Sequence, residues 1–272
     1  MIIVVDTLRV SDAVWARIEP ILPKPKEHKF GGCRPRKPDR EMFDAVMFKL
    51  RTGSQWKAVQ YAGFGAKSTI HDRFSEWVDA GVFELIWQIA LEEYDDLVGI
   101  DWRWLSMDGS MTKAPLSGTE DAGPNPTDRG KQGAKRSLLT DANGIPLAIV
   151  VDGANVHDSK LAIETIDSIV IKRPEATMDF PQGMCLDKAY DSIGIRIELL
   201  RRYFDPHVRS RGEEKKDLSD SPGKKARRWV VERTHSWMNK FRGILIRWEK
   251  HTDNYLGMVY LACAMICFKK FA

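Results

Sequence analysis

WLSMDGSMTKAP, Trp104 to Pro115, closes a short apolar run with a bare carboxylate, Asp108, and follows it at once with Gly109 and Ser110. Trp102 to Met107 alternates as a strand does, and acids are depleted from strands. A second stretch, GMCLDKAYDS (Gly183 to Ser192), repeats the arrangement, with a short buried strand ending at Asp187. Ligand sites in open sheets lie at strand ends and where strand order switches. If the two strands are parallel neighbours, the two carboxylates converge.

Working outward, KRSLLTDANGIPLAIVVDG (Lys135 to Gly153) is a hairpin signal, two strand-like runs around Asn143-Gly144. Leu161 to Ile171 has helical spacing, as does the stretch from about Asp191 to Arg202. A short strand near Pro206 to Val208 precedes a polar run, RSRGEEKKDLSDSPGKKARR. A long helix is expected from about Ala226 to Ile246 and a last one from Asn254 to Phe268. Strands first, then strands alternating with helices, predict a mixed α/β domain over residues 97–272.

Before Gly99 the period is helical. A helix is expected over Val10 to Leu22, capped by Ser11 or Asp12. Then comes PKPKEHKFGGCRPRKPDR, with Lys24, Lys26, Lys29, Arg34, Arg36 and Lys37 against the single acid Glu27 up to Lys37. Such a segment, about 23–38, reads as a linker: either a solvated loop or a basic arm lying along phosphates. Asp39 caps the next helix, and Ser68 the one whose face holds Ile70, Phe74, Trp77 and Val78. Ser68, Thr69, His71 and Arg73 fall in that helix's first turns. Short helices joined by glycine turns make residues 1–96 an all-helical, helix-turn-helix-like region.

A third acid, Glu232, lies in RRWVVERTHSWMNKFRG. On a helix it shares a face with His235, Ser236 and Asn239. Two strand-end aspartates and a helix glutamate suit hard divalent cations, which take oxygen ligands. Each acid also has a plainer reading. Asp108 caps a turn, Asp187 pairs with Lys188 or Arg196, and Glu232 is an exposed helix acid beside Arg228 and Arg233. NVHD (Asn155 to Asp158) holds too little soft-ligand chemistry for a transition-metal site. GKQGAKRS puts Lys131, Lys135 and Arg136 before a strand, where they suit phosphate.

Composition excludes several classes. The 272 residues are 43% hydrophobic and 29% charged, with net charge +4, as in an ordinary globular protein. Cys33, Cys185, Cys263 and Cys267 form no CxxC pair, which suggests a reducing cytosol. No secretory signal is evident, and the longest apolar run, Leu256 to Phe268, is shorter than the roughly 20 residues of a membrane span. Between Ser192 and Lys250 stand 16 Lys or Arg against 8 Asp or Glu, so the basic excess surrounds the third acid.

The chain resembles the insertion-sequence-five family of DDE transposases. The motifs, in order, are LRTGSQW, STIHDRFSEWVDAGVF, SMDGSMTKA, the hairpin with NVHDS, CLDKAYDS, RRWVVERTHSWMNKFRGILIRWEK and YLGMVYLACAMIC. The resemblance implies a ribonuclease H-like catalytic domain and two Mg2+ ions, replaceable by Mn2+, held by Asp108, Asp187 and Glu232. It implies cut-and-paste transposition: water attacks a phosphodiester at the element's end, and the freed 3′ hydroxyl attacks target DNA. The implied partners are double-stranded DNA, as terminal inverted repeats and target, and further copies of the chain, with no membrane. The family's signature around the glutamate adds Arg228 and Lys240 as DNA contacts, although Lys225 stands where it has Tyr and Lys240 falls one residue late. Lys131, Lys135, Arg136, Arg233, Ser68, Thr69, His71, Arg73, Arg34 and Arg36 complete the expected DNA-binding set. Rival readings are a metal-dependent nuclease without strand transfer and a catalytically silent DNA-binding regulator.

Overall fold

The structure, a computed structural model, describes residues 8–24, 35–178, 180–208 and 229–271. Most of the basic linker, with Arg34, and the polar run with Lys225 and Arg228 lie outside the described residues.

Among the described residues, the first α-helices are α1 (Asp12–Ile18), α2 (Asp39–Thr52), α3 (Trp56–Val59), α4 (Lys67–Asp79) and α5 (Val82–Leu97). Ser11 caps α1, its hydroxyl accepting from the Val14 N–H at 3.3 Å. Pro38 precedes α2, so Asp39 is the first helical residue and not the cap. Ala66 holds the cap position of α4 with no side-chain acceptor. Ser68 therefore sits inside the first turn, one residue past the observed start, and the cap lies two residues earlier than expected.

The sheet strands are β1 (Trp104–Lys113), β2 (Gly123–Pro124), β3 (Gln132–Thr140), β4 (Pro146–Gly153), β5 (Gln182–Leu186) and β6 (Phe204–Val208). Helix α6 (Asp158–Asp167) follows β4, and α7 (Ile193–Arg201) joins β5 to β6. β3 pairs antiparallel with β1, β4 and the short β2, whereas β1, β5 and β6 run parallel. Laid across, the order is β4, β3, β1, β5, β6. This is the mixed sheet of a ribonuclease H-like fold. The hairpin turn is longer than two residues. Buried Asp141 accepts from the Asn143 and Ile145 N–H groups at 2.9 and 2.8 Å and ties off the five residues between β3 and β4.

The long helix expected near the C-terminus is shorter. α8 spans Trp229–Met238, and a 3-10 turn follows at Arg242–Ile244. Within that turn Gly243 packs on the α2 backbone, where an added Cβ would stand 2.9 Å from the Leu50 Cα. Helix α9 (Thr252–Phe268) is buried along nearly its whole length and packs on α5. Lys49 of α2 and Glu249, both buried, form an ion pair at 3.2 Å, and the Trp56 indole donates to the same carboxylate at 3.2 Å. The N-terminal helices and the sheet thus share one hydrophobic core.

Candidate active site

β1 does not end at Asp108; it continues beside β3 to Lys113. What ends near Asp108 is the other partner. β1 pairs with β5 from Trp104↔Gly183 to Ser106↔Cys185. Continuing that register by two residues sets Asp108 level with Asp187, whose backbone is still extended at φ −83° and ψ 174°. Neighbouring strands lie about 4.8 Å apart, and residues opposite each other in a parallel pair point to the same face. Both carboxylates are half-buried. Asp108 accepts from the Gly109 N–H at 2.9 Å, and Asp187 caps the next turn by accepting from the Ala189 N–H at 2.7 Å. Lys188 and Arg196, its proposed ion-pair partners, both contact Asp191, at 3.0 and 2.8 Å.

The helix bearing Glu232 docks on that same face. Ser110, two residues past Asp108, is opposite Arg136, so Asp108 and Arg136 point to one side of the sheet. Arg136 donates to the Asn239 side chain just beyond α8 at 3.2 Å. His235 is buried and its Nε2–H donates to the Asp108 carbonyl at 3.4 Å. Burial, and then the nearby Arg136 charge, push the His235 pKa down to about 3, so the ring is neutral at ordinary pH. Thr234 donates to the Gly144 carbonyl at 2.7 Å and Arg233 to the Asn143 carbonyl at 2.6 Å, holding α8 to the hairpin turn. Glu232 lies one turn before His235 and is exposed.

The opposite face holds an acid whose role the sequence reading left open. Asp158 begins α6 and forms an ion pair with buried Lys135 at 3.1 Å; Lys135 also donates to the Val156 carbonyl at 2.5 Å. The pair packs on Gly109, where an added Cβ would overlap the Asp158 carboxylate. That is the physical reason for glycine directly after Asp108. NVHD is accordingly a support: His157 caps α6 by accepting from the Ser159 N–H, and Asp158 anchors Lys135. Tyr190 is fully buried nearby. Burial first, then the charges of Asp158, Asp108 and Asp187, raise its phenol pKa well above the ordinary value. The phenol thus stands within electrostatic reach of all three carboxylates.

Several of the expected DNA contacts turn inward. Lys135 and Arg136 are 3% and 2% exposed and bind protein groups. Arg73 is buried and forms ion pairs with Asp39 and, at 3.3 Å, Glu76. Arg36 spans the same two acids at 3.3 and 3.0 Å. Arg233 is half-buried between the Trp229 and Trp237 rings, 4.4 and 4.8 Å from their centroids. His71 meets Trp56 edge-on at 5.2 Å. An amphipathic pattern cannot tell an arginine that reaches outward from one that folds back onto a carboxylate two helices away. Ser68, Thr69, Lys131 and Lys240 are exposed.

Among the described residues no three His, Cys, Asp or Glu side chains are already gathered as a metal chelate. The donor set nonetheless fits a hard cation: two oxygen-only carboxylates level on one face, with a third on the helix docked there.

Comparison with known proteins shows the family. Residues 10–87 match a family described as putative transposase of the IS4/5 family, and residues 103–267 match the transposase DDE domain. The putative transposase for insertion sequence element IS402 of Burkholderia cepacia is 38% identical over 153 residues, 56% of this chain and 70% of the relative. An uncharacterized 16.2 kDa protein of the same insertion element is 30% identical over 112 residues, 40% of this chain and 76% of the relative. Among solved structures, the Mos1 mariner paired end complex with Mn aligns over 92% of this chain and 83% of its own, at 13% identity and a TM-score of 0.30. The DDE match alone spans more than half the chain, and the chain belongs to the DDE transposases of insertion elements.

Proposed function

We propose that this transposase cuts and joins DNA at a pocket made by Asp108, Asp187 and Glu232, which together hold two Mg2+ ions that Mn2+ can replace. The observation that carries this reading is the level placement of Asp108 and Asp187 on the face where the Glu232 helix docks. When bound, the ions supply Lewis acidity and neutralise charge building on the phosphodiester. The protein's own part is alignment. β1 and β5 fix two carboxylates through backbone hydrogen bonds, and α8 carries the third.

Lys131 and Lys240, exposed on turns before β3 and after α8, meet DNA phosphates. Ser68 and Thr69, exposed in the first turn of α4, face the terminal repeat. Phosphate contacts of this kind make end binding fall steeply with salt. Pairing two element ends requires at least two copies of the chain on DNA. Residues 1–96 serve recognition and residues 97–272 catalysis, in the cytoplasm of a bacterial cell. Among the described residues no helix is long and apolar enough to cross a membrane.

The test is an assay with labelled element ends, a target plasmid and Mg2+. The proposal expects cleaved ends and joined product. Cleavage without joining identifies a nuclease, and binding without either identifies a silent regulator.

A further inference from the structure

Arg136 is a costly residue for its place. It is 2% exposed in the middle of β3, and among the described residues its Nε and Nη1 have no hydrogen-bond partner and no carboxylate pairs with it. Among the described residues the guanidinium's one hydrogen bond runs from Nη2 to the Asn239 side chain at 3.2 Å. A buried cation without a counter-charge is disfavoured against a packed apolar side chain, so its presence points to use. Its surroundings indicate which use. Arg136 shares a sheet face with Asp108, and His235, close enough to feel its charge, is bound to the Asp108 carbonyl.

Glu232, His235 and Asn239 recur at intervals of three and four, one stripe of the α8 segment. The two later members of that stripe are each tied to the sheet beside Asp108. A one-residue rotation of α8, about 100°, would break both ties and swing Glu232 with them. We propose that Arg136 and His235 are positioning residues that lock α8 in the rotation and height that bring Glu232 to Asp108 and Asp187. The guanidinium also offsets part of the repulsion among acids on that face before a cation arrives. Neither residue touches DNA or the reacting phosphate. The inference rests on the three-carboxylate reading and gives it a mechanical cause.

The experiment uses the full chain with Arg136→Met, Asn239→Ala, His235→Ala and His235→Gln, the last keeping a donor near the imidazole Nε2. Melting temperature reports folding, fluorescence anisotropy reports end binding, and Mn2+ electron paramagnetic resonance without DNA reports ion affinity. kcat and KM are measured separately on labelled ends. Expected for Arg136→Met, Asn239→Ala and His235→Ala are end binding within about twofold of wild type, Mn2+ affinity lower by about tenfold or more, and reduced kcat at unchanged KM. His235→Gln recovers most of what His235→Ala loses. Asn239 is exposed, so its variant carries the test if Arg136→Met does not fold. Folded variants that bind Mn2+ as wild type does overturn the proposal. So does a loss in His235→Ala that tracks melting temperature and that Gln does not restore. Asp108→Asn is the control. If it too keeps full Mn2+ affinity, the three-carboxylate reading fails; if it abolishes binding while the other variants do not, only the positioning claim fails.

Discussion

Asp108 and Asp187 each lie two residues past Ser106↔Cys185, the last pair of the parallel β1–β5 ladder, which sets them level and on one face where β5 has ended. A strand that loses one neighbour exposes its next side chains to a cleft while staying rigid through the other neighbour. Here that neighbour is β3, paired with β1 out to Lys113. The arrangement yields a first prediction. Asp108→Asn, Asp187→Asn and Glu232→Gln each lower end cleavage by about a thousandfold, the loss of several kcal/mol of charge stabilisation, while end binding measured by anisotropy stays within about twofold. Cleavage above a tenth of wild type in any one removes that residue from the site.

Gly109→Ala places a methyl group into the Asp158 carboxylate. Overpacking of this kind costs about 1–3 kcal/mol, and more if the buried Lys135–Asp158 pair opens. A melting temperature lower by roughly 3–10 °C is expected, together with reduced cleavage, because the strain lands beside Asp108. An unchanged melting curve contradicts the packing described.

Arg73 and the pair Ser68 and Thr69 separate scaffold from reader on one helix. Arg73→Met removes a buried cation from Asp39 and Glu76, which are part-exposed and keep Arg36, and destabilises the helical region by about 1–3 kcal/mol. Ser68→Ala with Thr69→Ala leaves the melting temperature unchanged and weakens binding to element ends about tenfold, as two lost contacts would. Anisotropy and thermal melts of both variants check this. The opposite pattern would make Arg73 the DNA contact.

His235 sets an acid limb on stability. Above the ordinary value of 6.5 the ring is neutral in both native and unfolded chains, and the term is absent. Between 6.5 and about 3 the unfolded chain takes up a proton that the native site refuses, so stability falls as pH falls. The slope from this group is at most about 1.4 kcal/mol per pH unit, and it ends once the native ring protonates too. Denaturant melts of wild type and His235→Gln between pH 7 and pH 4 should differ by this slope, with Gln the flatter. Parallel curves contradict a neutral buried imidazole.

The elements were largely legible because their signals are local. The strand alternation before Asp108, the short run ending at Asp187 and the apolar C-terminal helix appear close to where they were expected. What was not legible depended on distant partners. Nothing within RRWVVERTHSWMNKFRG shows that the helix stops at Met238 or that the last residue of the stretch, Gly243, lies against the distant α2 backbone. The inward turn of Arg73, Lys135 and Arg136 has the same origin: their partners Asp39, Asp158 and Asn239 are 34, 23 and 103 residues away. Asp158 was visible only as the end of NVHD, and a glycine directly after a strand carboxylate was the clue that another side chain needed that space.

The most direct test of the three-acid pocket is the anomalous difference map of a crystal of this transposase with its element-end DNA and Mn2+. Peaks bound by carboxylate oxygens of Asp108, Asp187 and Glu232 together, at about 2.2 Å as hard cations require, are the predicted result. Strong Mn2+ peaks elsewhere, with any of the three acids left out of contact, would contradict it.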